Sequence, residues 1–362
     1  MAEYYEDYTD ERERPEIEDT AENENDSIYY SISSYGADYS VDVLIKRLEK
    51  GLIIVPPFQR RYVWDIKKAS RFIESLILGL PVPGIFLSRD SSDKPQQSNK
   101  MLIIDGQQRL LTLQRFYRGR FDDKVFKLSG ICDELNGRTY DELSADDQSR
   151  LDDAIIHATI IKQETPEEDD SSIYMVFERL NTGGMLLQPQ EIRACIFYGE
   201  FNDLLNDLKN NENWRNLFRK ENPRMKEQEM ILRFFALYSH YEEYKKGLKK
   251  LLNDFMSHNR YCQLHDKNTL SKMFNNTINI IVQSIGREAF RKGNAVNAAV
   301  FDSMMIGVAK RLAHSSMSNE ECKAKYEQLM QDDEYIDFTS GATADEKKVK
   351  GRIQKAIDTF AQ

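Results

Sequence analysis

Apolar residues recur every three to four positions through several stretches of this chain, which predicts amphipathic helices. In DIKKASRFIESLILGL (65–80), Phe72, Ile73, Leu76, Ile77 and Leu80 share one face, and Asp65 stands where a helix cap belongs. VDVLIKRLEKG (41–51) reads as a shorter helix ended by Gly51, and QQRLLTLQRFYRG (107–119) as one closed by Gly119. DDSSIYMVFERLNTGG (169–184) opens with capping residues and ends in Gly-Gly, and QPQEIRACIFYG (188–199) is a further helix. Between them lie apolar runs of strand length: the end of PVPGIFLSRD (81–90), MLIID (101–105), VFKLSG (125–130) and AIIHATIIKQE (154–164). LIIVPPFQRRYVW (52–64) contains two prolines, which bar a helix and a central strand and leave an extended edge or loop. Beyond about residue 200 the strand signals stop, while 227–256 and most of 268–330 keep the helical period.

The predicted fold class is α+β: a mixed α/β domain over 28–200, then an all-helical domain over 201–362, with a tail over 1–27. Charge defines that tail. Residues 1–26 hold twelve acids against Arg12 and Arg14, which accounts for the whole net charge of −10 and leaves the remainder balanced. Such a tail is expected to be disordered, either as a solubilising leader or as a nucleic-acid mimic over a basic groove. The N-terminus lacks the basic and apolar regions of a secretory signal, and no apolar run reaches membrane-spanning length, so a cytoplasmic protein is expected. Cysteines 132, 195, 262 and 322 form no C-x-x-C, and the five histidines have no zinc-ligand spacing.

The candidate chemistry lies in IIDGQQRLLTLQRF (103–116). A strand ending at Asp105 and turning at Gly106 puts Gln107, Gln108 and Arg109 on the first turn of a helix. There, unpaired N–H groups and the helix dipole favour an anion. Gly106 admits close approach, and Arg109 can grip phosphate oxygens. Asp105 can hold Mg2+ or its water, and a glutamine can orient an attacking water. The plainer reading is a turn with Asp105 as the helix cap. No Walker loop is present. In PPFQRRYVW, Gln59 and Arg60 stand beside Tyr62 and Trp64, a pairing of guanidinium with aromatics that suits a nucleotide or, equally, an edge segment with a core tryptophan. In FERLNTGG, Arg179 and Asn181 cluster at a helix end that also reads as a simple C-cap.

The ordered set P-P-F-Q-R-x-Y-V-W, I-I-D-G-Q-Q-R-L-L-T-L and F-E-R-L-N-T-G-G-x-x-L-x-x-Q-E-I-R resembles the N-terminal domain family of GmrSD-type restriction endonucleases, ParB/sulfiredoxin-like NTPase domains of anti-phage systems. The resemblance covers roughly 28–200, and ILRFFALY (231–238) and FTSGATADEKKVKGRIQ (338–354) extend it. It implies a ParB-like domain that binds and hydrolyses a nucleoside triphosphate, with Mg2+, coupled to sensing or cutting modified phage DNA. The family's DGQQR falls on Asp105, Gly106, Gln107, Gln108 and Arg109, its Gln-Arg on Gln59 and Arg60, and its Arg/Asn helix end on Arg179 and Asn181.

The histidine-rich HNH nuclease segment of the two-part enzymes is not in this sequence, so the expectation is a stand-alone form, with the nuclease a separate protein or the output something other than cutting. Two functions stay open. One is an NTPase switching a defence complex, with Asp105, Gln107, Gln108 and Arg109 catalytic. The other is a nucleotide-gated DNA-binding or adaptor protein without turnover. Lys245, Lys246, Lys249 and Lys250 form a patch for DNA or a partner, or a solvated helix face. Self-association into a homo-oligomer is also expected.

Overall fold

The computed structural model describes residues 31–55, 62–89, 100–165, 171–180, 188–218, 222, 224–292 and 295–361. The acidic tail, Gln59, Arg60 and Asn181 lie outside the described residues. The chain forms two compact units, residues 28–187 with 191–196, and residues 188–190 with 197–362.

The first unit runs β1 (Ser31–Ser40), α1 (Val41–Glu49), β2 (Ile53–Ile54), α2 (Ile66–Ile77), β3 (Ile85–Arg89), β4 (Met101–Asp105) and α3 (Gln107–Tyr117). A two-residue hairpin, β5 (Arg120–Phe121) and β6 (Lys124–Val125), leads to α4 (Ala145–Asp153), β7 (Ile155–Thr165) and α5 (Ser171–Leu180). Five strands make a mixed sheet in the order β1-β7-β3-β4-β2. β1 is antiparallel to β7, β3 parallel to β7 and antiparallel to β4, and β2 parallel to β4. Ile85 and Leu87, two apart on β3, send one face inward, with Phe86 between them half-buried. There Ile103, Ile156 and Ile160 join Leu44 and Leu48 of α1, Phe72 and Ile73 of α2, and Leu110, Leu113 and Phe116 of α3 in one core. Asp65 caps α2 by accepting the Lys68 N–H at 2.7 Å.

One strand was not anticipated and two expectations are corrected. The polar stretch SISSYGADYS forms β1, which pairs with β7 over its whole length, with Ala37 and Tyr39 packed against the core. VFKLSG is not a strand beyond Val125. Phe126 and Leu128 are buried as an apolar run should be, but their N–H groups bond the carbonyls of Gly119 and Arg138 instead of a sheet neighbour. Strand pairing also does not stop at 200, since Arg291–Lys292 (β8) and Ala295–Val296 (β9) form a short antiparallel ladder.

α6 (Pro189–Ile196) spans the border in sequence between the units. The second unit holds α7 (Glu200–Leu208), α8 (Glu212–Leu217), α9 (Lys226–His240), α10 (Leu248–His258), α11 (Lys267–Ser284), α12 (Ala298–His314), α13 (Asn319–Met330), α14 (Asp333–Phe338) and α15 (Glu346–Ala361). The helical pattern over 227–256 is broken after α9, and α10 restarts from Gly247 at φ 129°, a backbone conformation that favours glycine. From Ala298 to Ala309 α12 is buried on every side, as its nearly unbroken apolar sequence requires. α15 lies against it so closely that a Cβ on Gly307 would come within 2.9 Å of the Ala356 carbonyl. The one acid in this apolar stretch, Asp302, accepts the Nε and Nη2 of Arg233 from α9, at 3.2 and 2.6 Å, and Nη2 of Arg352 from α15 at 3.3 Å. Nearby, the buried Glu227 accepts the Trp214 indole N–H at 2.8 Å and pairs with Arg215.

Candidate functional site

The turn from β4 to α3 is made by Gly106, at φ 100° and ψ 7°. It occupies the position of the helix cap and, being glycine, supplies no side-chain cap bond. Asp105 therefore does not serve as the N-cap. Its carboxylate instead accepts Nη2 of Arg109, one turn on, at 2.6 Å. The reason is geometric: the left-handed turn at Gly106 ends the strand at Asp105 and starts the helix one residue later. The Arg109 side chain is 13% exposed and that of Asp105 52% exposed. The Arg109 Nε is buried without a hydrogen-bond partner, an arrangement that costs free energy until an acceptor arrives. Gly106 is required for space as well as for φ, because an added Cβ would sit 2.5 Å from Cγ2 of the core residue Ile85.

Gly106→Ala is expected to cost about 2–3 kcal/mol of unfolding free energy, from left-handed strain together with core overpacking. A urea titration of the variant checks it, and an unchanged midpoint would contradict the close fit.

Three residues spaced along one stripe of α3, Gln108, Thr112 and Arg115, hold the segment 62–64. Oε1 of Gln108 accepts the N–H of Val63 at 2.9 Å and of Trp64 at 3.4 Å. The Thr112 hydroxyl donates to the Gln108 carbonyl at 2.7 Å, so the Tyr62 hydroxyl is the donor in its 2.7 Å contact with Thr112 Oγ1. Burial pushes the Tyr62 phenol above its ordinary pKa, which keeps that proton in place. The Arg115 guanidinium lies 3.9 Å from the centre of the Tyr62 ring and pairs with Asp122 at 2.8 Å. Trp64 meets Phe72 edge to face at 5.7 Å, with the Lys68 ammonium 5.1 Å from its ring centre.

The structure thus brings Asp105, Gly106, Gln107, Gln108 and Arg109 together on one turn, and joins Tyr62 and Trp64 to the same helix. Gln107 lies half-buried on the first turn. Arg179 lies exposed in the last turn of α5, which packs against β4 and β7. Thr112, Arg115 and Asp122 were not among the sequence candidates. The spacing of Gln108, Thr112 and Arg115 at i, i+4 and i+7 was the available signal, but their partners lie up to 50 residues away. Among the described residues no three His, Cys, Asp or Glu side chains gather as a metal set. No helix of the described residues is long and apolar enough to cross a membrane.

A mixed sheet with a strand-to-helix turn, and an arginine and a carboxylate paired across that turn, defines the class as an α/β domain. Residues 41–198 match the model of the family described as GmrSD restriction endonuclease, N-terminal domain. The match spans 158 of the 362 residues, and what it supports for this part of the chain is a likeness to a component of a restriction-like system. No curated protein matches the chain.

Proposed function

We propose that the first unit binds a nucleoside triphosphate at the β4–α3 turn and hydrolyses it, and that nucleotide state controls DNA sensing or a separate effector. The observation that carries this reading is the buried, unpartnered Nε of Arg109 beside a helix start whose cap position is a glycine. Phosphate oxygens would satisfy the Arg109 donor and the first-turn amides at once, with the guanidinium oriented by Asp105. Water then attacks the γ-phosphorus, the bond to the β-phosphate oxygen breaks, and diphosphate nucleotide and inorganic phosphate leave. Gln108 has its side-chain oxygen engaged at Val63 and Trp64, and the role of orienting that water is assigned to Gln107, half-buried on the same turn. One carboxylate, Asp105, suits a Mg2+ that rides mainly on the phosphates and keeps its waters, where the ion would neutralise charge on the leaving oxygens. Gln59, Arg60, Arg179 and Asn181 complete the nucleotide-binding set that the family motif suggests.

A second reading is favoured by the Asp105–Arg109 pair. With its carboxylate committed to a guanidinium, Asp105 is a poor general base. The same pocket would then bind nucleotide without turnover and act as a gate.

Phosphate release by the purified protein with each of the four ribonucleoside triphosphates and Mg2+, together with equilibrium binding, separates these. Saturable binding with release above background supports hydrolysis. Binding without release supports the gate, and no binding of any triphosphate overturns both.

A further inference from the structure

We infer that Gln108 is a positioning residue whose amide oxygen latches the 62–64 segment onto α3, and that it does not touch the reacting groups. The functional half of this proposal rests on the nucleotide reading above; the structural half does not.

Both contacts of the Gln108 side chain use its oxygen as acceptor, and both donors are backbone N–H groups of Val63 and Trp64. These two residues lie in a stretch without helix or strand, so the amide does for them what a sheet neighbour would do. The latch has a second point, the Tyr62 hydroxyl on Thr112, and a third, Arg115 over the Tyr62 ring. All three grips come from one stripe of the helix whose first turn is the anion site. Val63 itself is half-exposed, at 51%, and is not held by burial. Remove the Gln108 oxygen and the main-chain contacts of Val63 and Trp64 to α3 are lost, while Tyr62 and the Trp64 ring keep their own packing.

The chemistry of the latch distinguishes it from catalysis. A latch needs only an acceptor, so glutamate serves and alanine does not. A latch also acts by keeping the binding-competent arrangement populated, and its loss raises the apparent KM while saturating nucleotide restores turnover. An amide that orients the attacking water, in contrast, is needed at saturation and lowers kcat when lost.

The experiment compares the full chain with Gln108→Ala and Gln108→Glu. Native-state hydrogen exchange is read at the amides of Val63 and Trp64, and Trp64 emission is read against the constant background of Trp214. Gln108→Ala is expected to speed exchange at both amides and to shift the emission, while Gln108→Glu keeps the protection. With nucleotide, Gln108→Ala is expected to raise KM, or Kd where turnover is absent, about 10-fold, the factor two hydrogen bonds of ordinary net strength contribute. Its kcat should stay within about 2-fold. Gln108→Glu is expected to recover most of the lost affinity. Unchanged exchange at Val63 and Trp64 in Gln108→Ala would overturn the latch. A fall in kcat at saturation with KM unchanged would overturn the positioning role in favour of a catalytic one. If the unaltered protein binds no triphosphate, the function proposed above falls while the exchange result still decides the latch.

Discussion

Replacing Arg109 with alanine is expected to abolish measurable nucleotide hydrolysis and to weaken triphosphate binding by about 100-fold or more, the range seen when one preorganised charge-stabilising donor is lost. The fold should survive. Asp105, the partner left behind, is more than half exposed, so water can take the place of the guanidinium, and the core residues Leu110 and Leu113 on the same helix are untouched. Circular dichroism and the thermal midpoint establish folding, and isothermal titration and phosphate release give the functional loss. Arg109→Lys keeps the charge but not the planar fork, and is expected to recover only a part of it. Wild-type affinity in a folded Arg109→Ala protein would remove the turn from any account of nucleotide binding.

The largest effect on stability is expected from Asp302→Ala in the helical unit. Asp302 is fully buried, and the arginines that meet it from α9 and α15 are 5% and 2% exposed. Without the carboxylate, two guanidinium groups lose a shared counter-charge in a site that water does not reach. Breaking such a buried pair costs about 3–5 kcal/mol. Equilibrium urea unfolding, followed by the emission of Trp214 in the same unit, reads the loss directly. A change below about 1 kcal/mol would mean that the arginines find other acceptors, which is the cost scale of a surface pair. An apolar replacement of all three residues is a separate matter, since matched apolar side chains often restore what a buried ionic cluster supplies.

What was legible in the sequence was what is local. α2 carries both its apolar stripe and its cap within sixteen residues, so Ile66–Ile77 and the bond from Lys68 to Asp65 follow from the pattern. β4 at Met101–Asp105 is bounded by the polar stretch before it and by Gly106 after it. β1 was not legible, because a serine-rich edge strand has almost no apolar alternation and owes its form to backbone bonds with β7. At the candidate site, the residues of the turn were legible as a group, but their partners were not. Asp105 reads as a cap because acids often cap, but in the folded chain Gly106 takes the cap position and leaves the carboxylate to Arg109. Gln108 reads as an active-site amide because it sits in a motif, and its bonds to Val63 and Trp64 span more than 40 residues. Asp302 was visible as a lone acid in AAVFDSMMIGVAKRLAH, yet nothing in that stretch names Arg233 or Arg352 as its company.

The pairing of β1 with β7 sets the timing of assembly on the ribosome. Residue 31 has to wait until residue 165 has been synthesised and has cleared the exit tunnel before its ladder partner exists. Local helices can form during that wait, but the sheet cannot be completed until its outermost strand is recruited from far back along the nascent chain. Slower or stalled synthesis between these points would leave that strand waiting in solvent, where chaperone occupancy, measured on nascent chains stopped at different lengths, should fall once β7 has emerged.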